Sequence, residues 1–440
     1  MRRDVSHAVI SLSGTVTAPG ARDGQFDGVL LPEGDMQLTN LKVLVVGAAT
    51  GGAATALLFA RSGASVTIVD RVAAAAPIGA GLSLAANGRA VLDALGLGPA
   101  LGDARELPGV RVVDARGRTL AAPPNGARLA VVTRSRLQEL LVDALLGDPS
   151  ITTRFGTTLM RAMHDGTVTL SKDGGQVTER FDLVVGADGV RSRVRDGGAF
   201  GARVQRTGIR YLRALIPTTV EHGSEAWTSI GVFGALPVDG GSYLYASCAS
   251  PSLAEAIEQR DLVALRAAWQ AVYAPAARLL AGVPHFDDLL IHEVIRVDCD
   301  RWHDQQLVLV GDAAHAMAPN LGQGANSALV DAAVLVGSLR SAPDLEHGLA
   351  AYAARRRHAV RAVADAAARI GRLAEMTHPL ARTLRDRILM PLAGLLPAER
   401  QLRALLQETP AALRAMTQPT DQRLSAEACA PCTLQARSAS

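Results

Sequence analysis

The residues whose types and spacing could do chemistry fall in three short stretches. In the first, Gly47-Ala48-Ala49-Thr50-Gly51-Gly52 lies between an apolar run and an Ala/Leu-rich one, and Asp70 closes the next apolar run. A glycine-rich turn entering a helix offers free N–H groups and the positive end of the helix dipole to a pyrophosphate. An acidic residue ending the second strand accepts bonds from ribose hydroxyls. Ala49 stands where the fingerprint has its middle glycine, so a methyl faces the point at which phosphate approaches the backbone. The second stretch, Asp182 to Ser192, is an apolar strand feeding the turn Asp188-Gly189; taken alone, it is equally a structural turn of any α/β protein. In the third, a short apolar strand from Leu307 ends at Gly311-Asp312 and passes His315, Pro319 and Gly322. It then opens a helix at Gly324-Ala325-Asn326, with Asp331 further along. That helix start supplies a second set of backbone donors, suited to an anion or an electron-rich ring.

These stretches need a scaffold that brings strand ends together. Leu41 to Val46 reads as a buried parallel strand, a helix follows from Gly52 to Ser62, and Ser65 to Asp70 completes a β-α-β unit. Thr133 to Leu146 has helical spacing. Residues 151–186 alternate like a β-meander with a turn at Lys172-Asp-Gly-Gly and finish in the strand Phe181 to Val185. The pattern then changes to half-buried strands at Gly208–Ile216, Trp227–Leu236, Ser242–Ser247 and His292–Cys299, with a helical interval at 252–282. This predicts a second, antiparallel sheet. The chain returns to the first sheet at Leu307–Val310, and from residue 345 it is Arg- and Ala-rich with helical spacing.

Composition removes several classes. Among 440 residues, 45 basic and 42 acidic side chains give a net charge of +3 with no long run of one sign, which leaves no electrostatic footprint for nucleic acid. Cys248, Cys299, Cys429 and Cys432 are too few for a secreted disulfide framework, so a reducing, cytoplasmic setting is expected. Cys429-Ala-Pro-Cys432 has redox or half-zinc spacing but sits in a polar tail without a second ligand pair, and no metal site is expected. Residues 1–39 read as a disordered leader or a mis-assigned start, since the stretch His7 to Leu12 is too weak for a signal peptide. Val43 to Phe59 is uncharged and long enough to suggest a membrane span, yet its glycines and threonines argue for the soluble role above.

The three stretches, in this order, resemble the para-hydroxybenzoate hydroxylase-like class of flavoprotein monooxygenases, and within it the salicylate and urate hydroxylase-like branch. The resemblance spans about residues 41 to 395 and includes Arg134-Ser-Arg-Leu137, the Gly79–Asn87 region and Leu384-Arg-Asp-Arg387. It implies an α/β chain with a doubly wound, FAD-binding Rossmann-like sheet, an inserted mostly antiparallel substrate-binding sheet and C-terminal helices. Residues 40–105, 130–202 and 300–340 would form the FAD domain. Residues 106–129 and 203–299 would form the covering sheet, 341–417 the C-terminal helices and 418–440 a polar tail.

Carried over, Gly47, Ala49, Gly51, Gly52, Asp70 and Arg71 would meet the ADP half of FAD, and Asp188 and Gly189 the pyrophosphate region. Gly311 and Asp312 would meet the ribityl chain. Pro319, Gly322, Gly324, Ala325 and Asn326 would lie against the pyrimidine edge of the flavin, with Arg134 beside the cofactor. The resemblance implies reduction of FAD by NADPH or NADH and transfer of one oxygen from O2, through a peroxyflavin, to a small aromatic or heteroaromatic substrate. His315 is expected as a structural neighbour of the flavin.

Substrate contacts are expected from the covering sheet, with Arg213, Tyr243 and Tyr245 as candidates because strand alternation puts both tyrosines on one face. The bland alternative for each is a packed sheet, and no base is identified. The alternatives left open are a flavin reductase or dehydrogenase and a non-catalytic flavin-binding protein. A flavin-dependent halogenase is disfavoured because Trp227, Trp269 and Trp302 are isolated and neither lysine is placed to serve. A monomer or homodimer is expected, with no nucleic-acid partner and no membrane.

Overall fold

The computed structural model describes residues 36–73, 80–102, 104–123, 125–393 and 406–418. Residues 1–35 of the predicted leader, Gly79, and the tail with Cys429 and Cys432 lie outside the described residues; the leader's last residues are described, and Met36 N donates to Ala342 O at 3.0 Å. A six-stranded sheet forms the base, in the order His303–Asp304, Leu307–Leu309, Leu183–Gly186, Lys42–Val46, Ser65–Asp70, Ile151–Phe155. All neighbours pair in parallel except the short edge strand His303–Asp304. Its central strands are continuous apolar runs, Val43 to Val46 and Leu183 to Val185, buried on both faces as a doubly covered parallel sheet requires. Helices Thr50–Arg61 and Gly324–Arg340 pack on each other, and both bury long Ala/Leu/Val stretches.

The second layer is a seven-stranded sheet in the order Leu290–Cys299, Ala202–Ile216, Gly241–Ser247, Val232–Val238, Ser224–Trp227, Arg111–Asp114, Thr119–Ala121. Every neighbour is antiparallel except Ser224–Trp227 with Arg111–Asp114. Strand alternation gives this covering sheet two unlike faces. The outer one carries Leu212, Ala214, Phe233, Ala235, Leu244 and Ala246, and forms an apolar core with the helices Pro251–Glu258, Leu262–Val272 and Pro275–Leu280. Trp269 anchors that core, with its ring edge-on to Phe233 at 5.1 Å.

Two sequence expectations are refined. Trp227–Leu236 is not one strand: Thr228 accepts from the Ile230 N–H and donates to Gly231 O, and Gly231 adopts φ 143°, so the chain folds into a hairpin there. Ile151–Phe155 does not begin the meander but pairs in parallel with Ser65–Asp70 as the edge of the base sheet. The meander is the three-stranded sheet Thr158–Ala162, Thr167–Lys172, Gly175–Arg180. Val43 to Phe59 resolves into strand, turn and helix, and among the described residues no helix is long and apolar enough to cross a membrane.

Candidate functional site

The first motif forms a tight cradle. Gly47 has φ 100°, and a Cβ there would lie 2.4 Å from Ala187 O; one on Gly52 would lie 1.8 Å from Gly47 O. Side chains are thus excluded by backbone at both positions. The helix that follows has Ala49 at its N-cap, and no side chain caps it. Its first N–H groups therefore remain available to an anion. Ala49 itself is exposed, so its methyl occupies open space at the mouth of the turn. Asp70 ties the turn to the next strand: Oδ2 accepts from Ala48 N at 2.7 Å and Oδ1 from Val72 N at 2.9 Å. Arg71, beside it, is exposed.

The second and third motifs close on the same cleft. Asp188 Oδ2 accepts from Arg193 N at 2.7 Å and from Val194 N, whereas Oδ1 is buried without a partner. Burial pushes the Asp188 carboxyl up against the lowering effect of these bonds. Gly189 and Gly311 adopt φ 75° and 59°, and Asp312 projects exposed from the latter turn. Asn326 binds the third loop to the strand Gly81–Ala85: its Oδ1 accepts from Ala85 N, and its Nδ2 donates to Ser83 O and Gly322 O. Gly322 (φ 62°) passes so close that a Cβ would lie 2.6 Å from Ser83 Oγ. The helix begun by Gly324 and Ala325 also lacks a side-chain cap, and Gln323 Oε1 at its N-cap is buried without a partner. Pro319 starts the preceding turn, from which Asn320 donates to the Tyr211 hydroxyl on the covering sheet at 3.0 Å.

The covering sheet turns a polar face toward this cleft. Tyr211 and Arg213 from one strand, Tyr243 and Tyr245 from the next, and Glu225 from a third share that face by register. Tyr243 lies against Gly81, where a Cβ would come within 2.4 Å of its ring, and its ring centroid is 5.6 Å from that of Tyr245. Burial lowers the Arg134 pKa; Asp312 and Tyr243 oppose this and Arg213 adds to it, so these four side chains share one electrostatic neighbourhood. Burial, Arg213 and Arg134 likewise lower the His292 pKa. A covered sheet face built of arginine, tyrosine, histidine and glutamate fits a polar ligand poorly explained by packing alone.

These features fit a dinucleotide flavin: two uncapped helix starts, glycine turns that admit no Cβ, and an orphaned carboxylate oxygen. A family model described as "FAD binding domain" matches residues 40–367. The chain belongs to this FAD-binding family. It is 28% identical over 366 residues to aurachin C monooxygenase/isomerase of Stigmatella aurantiaca, covering 80% of this chain and 94% of that one. It is 32% identical over 314 residues to the 2-heptyl-3-hydroxy-4(1H)-quinolone synthase of Pseudomonas aeruginosa, covering 67% and 80%. Among solved structures, Klebsiella pneumoniae HpxO complexed with FAD and uric acid superposes with a TM-score of 0.69 at 22% identity, covering 86% and 98%. The protein is an FAD-dependent monooxygenase.

The three motifs pack against one another: a Cβ on Gly47 would meet Ala187, and one on Gly51 or on Gly311 would meet Ala328. Arg134, Asp312, Arg213 and Tyr243 share one electrostatic neighbourhood, whereas Arg71 stands exposed beside Asp70. Two groups were not singled out in the sequence. Glu225 precedes an expected strand by two residues and looks like a solvated loop charge. Arg356 belongs to a run of three arginines, and nothing in that run marks it as the one whose side chain is fully buried against Asp331.

Proposed function

We propose that the protein inserts one oxygen atom from O2 into a small planar aromatic or heteroaromatic substrate bearing an acidic O–H or N–H, with NADPH or NADH as transient reductant. The observation that carries this is the polar inward face of the covering sheet, with Arg213 and Tyr243 opposite Arg134 and Asp312. Bound FAD, reduced by the nicotinamide, supplies the activated oxygen. The chain supplies binding and orientation. The helix start at Thr50–Gly52 holds the pyrophosphate, and Asp70 and Arg71 the ribose end. Asp188, Gly189, Gly311 and Asp312 hold the linker, while Gly322 to Asn326 with Arg134 hold the ring edge.

Arg213 faces the substrate's negative charge, Tyr243 orients its ring, and the covering sheet excludes water from the reacting atoms. The ring systems in the relatives' names, a quinolone and uric acid, are of this kind. A cytoplasmic setting suits a soluble nicotinamide supply.

The visible spectrum of the purified protein, followed by difference spectra with phenols, quinolones and purines, tests the reading. Bound flavin perturbed by members of that panel supports it; a colourless protein that FAD cannot reconstitute overturns it.

A further inference from the structure

On the inward face of the covering sheet, Glu225, Gly234, Tyr245 and Arg213 form one cross-strand row. Gly234 lets the row close. A Cβ there would lie 2.0 Å from Tyr245 Cζ, so the tyrosine ring lies across the glycine and reaches Glu225. The Tyr245 hydroxyl donates to Glu225 Oε2 at 2.7 Å, and Trp227 Nε1 donates to Oε1 at 2.6 Å. Arg385 lies over the Trp227 ring at 5.2 Å, but it donates to Leu373 O, Ala374 O and Asp386 instead of to Glu225. The carboxylate is therefore held in place by two neutral donors. Glu225 and Tyr245 are both half-buried on this inward face.

We propose that this pair removes the substrate's acidic proton: Tyr245 is the catalytic residue that touches the substrate, and Glu225 is a positioning residue that receives the proton through it. This rests on the aromatic-substrate reading above. In the step, the substrate O–H or N–H bond breaks and its electron pair stays on the substrate. The proton joins Tyr245 Oη as the hydroxyl's own proton passes to Glu225 Oε2. Tyr245 ends unchanged, Glu225 ends as a carboxylic acid, and the substrate anion faces Arg213 with a more electron-rich ring. Burial pushes the Glu225 carboxyl up, which brings it toward the acidity of a phenolic substrate, the match a general base needs. Burial, then Glu225 itself, pushes the Tyr245 phenol well up, so it relays a proton without resting as a phenolate.

The test is a pH titration of para-nitrophenol, whose anion is coloured, bound to the FAD-loaded full-length protein. Wild type is expected to ionise the bound probe at lower pH than free solution does. Glu225→Gln and Tyr245→Phe are each expected to move that ionisation up by about one pH unit. Glu225→Asp restores part of the shift, and flavin content stays at the wild-type value. Variants whose bound probe ionises at the wild-type pH overturn the proposal, as does a wild type that leaves the probe at its solution value. A lowered ionisation in wild type without substrate-stimulated oxygen uptake in the same preparation supports the proton step and counts against the monooxygenase reading instead.

Discussion

Arg356 Nε lies 2.7 Å from Asp331 Oδ1, an ion pair with both side chains completely buried. The other Asp331 oxygen accepts from Gly311 N at 2.9 Å and meets the His315 ring at 2.5 Å, while Trp302 stacks on that ring. One carboxylate therefore fixes the turn that presents Asp312 to the cleft. His315, expected as a structural neighbour of the flavin, packs beneath this turn against Asp331 and Trp302.

Removing one member of this pair leaves a buried charge uncompensated. Arg356→Leu is expected to cost about 3–5 kcal/mol of stability. Arg361→Leu, whose partner Asp298 is exposed at the surface, should cost no more than about 1 kcal/mol. Denaturant unfolding of the two variants checks the contrast, and equal losses would contradict the role given to Asp331.

The same carboxylate makes stability depend on acid. Burial alone would raise its pKa, but the facing His315 and Arg356 more than reverse this and bring it from the ordinary 3.8 down to about 2. A carboxylate depressed in the folded state stabilises fully above its unfolded pKa and loses that contribution as pH falls through the folded one. Between about pH 4 and pH 2 the fold should lose roughly 2 kcal/mol from this group. Asp331→Asn, already destabilised at neutral pH, should show a flatter melting profile across that window.

The cradle predicts opposite outcomes for two neighbouring substitutions. Gly52→Ala puts a methyl on the Gly47 carbonyl and should abolish flavin retention, with overpacking of about 1–3 kcal/mol or more. Ala49→Gly removes only an exposed methyl and should keep or raise FAD affinity. Flavin-to-protein absorbance ratios after gel filtration read both.

Arg213→Gln removes the charge that the proposed reading sets against the substrate anion, away from the glycine turns of the cofactor motifs. Flavin content should be unchanged, while kcat/KM falls about 10- to 100-fold, equivalent to roughly 1.4–2.7 kcal/mol. Steady-state kinetics on a turned-over substrate decides. A variant with lost flavin and unchanged kcat/KM per flavin would assign Arg213 to the cofactor instead.

What the sequence made legible follows from locality. Gly47, Gly52, Gly189 and Gly311 are dictated by turns within a few residues of the strands they end, so strand, glycine and acid read together as a cofactor cradle. The tyrosine pair is local too, since positions 243 and 245 need only strand alternation to share a face. Glu225 was not legible because its partner Tyr245 comes from another strand and meets it only through register and through the missing side chain of Gly234. Arg356 was hidden for a similar reason: its burial depends on a helix packing back onto the base sheet, where Tyr352 also donates to Leu309 O. The parallel pairing of Ile151–Phe155 was missed because its partner, Ser65–Asp70, lies some eighty residues back in the chain and only the fold brings the two strands together.

The most direct test of the account is the fate of isotopically labelled O2 in the presence of NAD(P)H and a substrate that perturbs the flavin spectrum. The account predicts substrate-stimulated oxygen uptake with one labelled atom in the ring product and the other in water. Oxygen uptake that yields only hydrogen peroxide with every such ligand, and no labelled product, would contradict it.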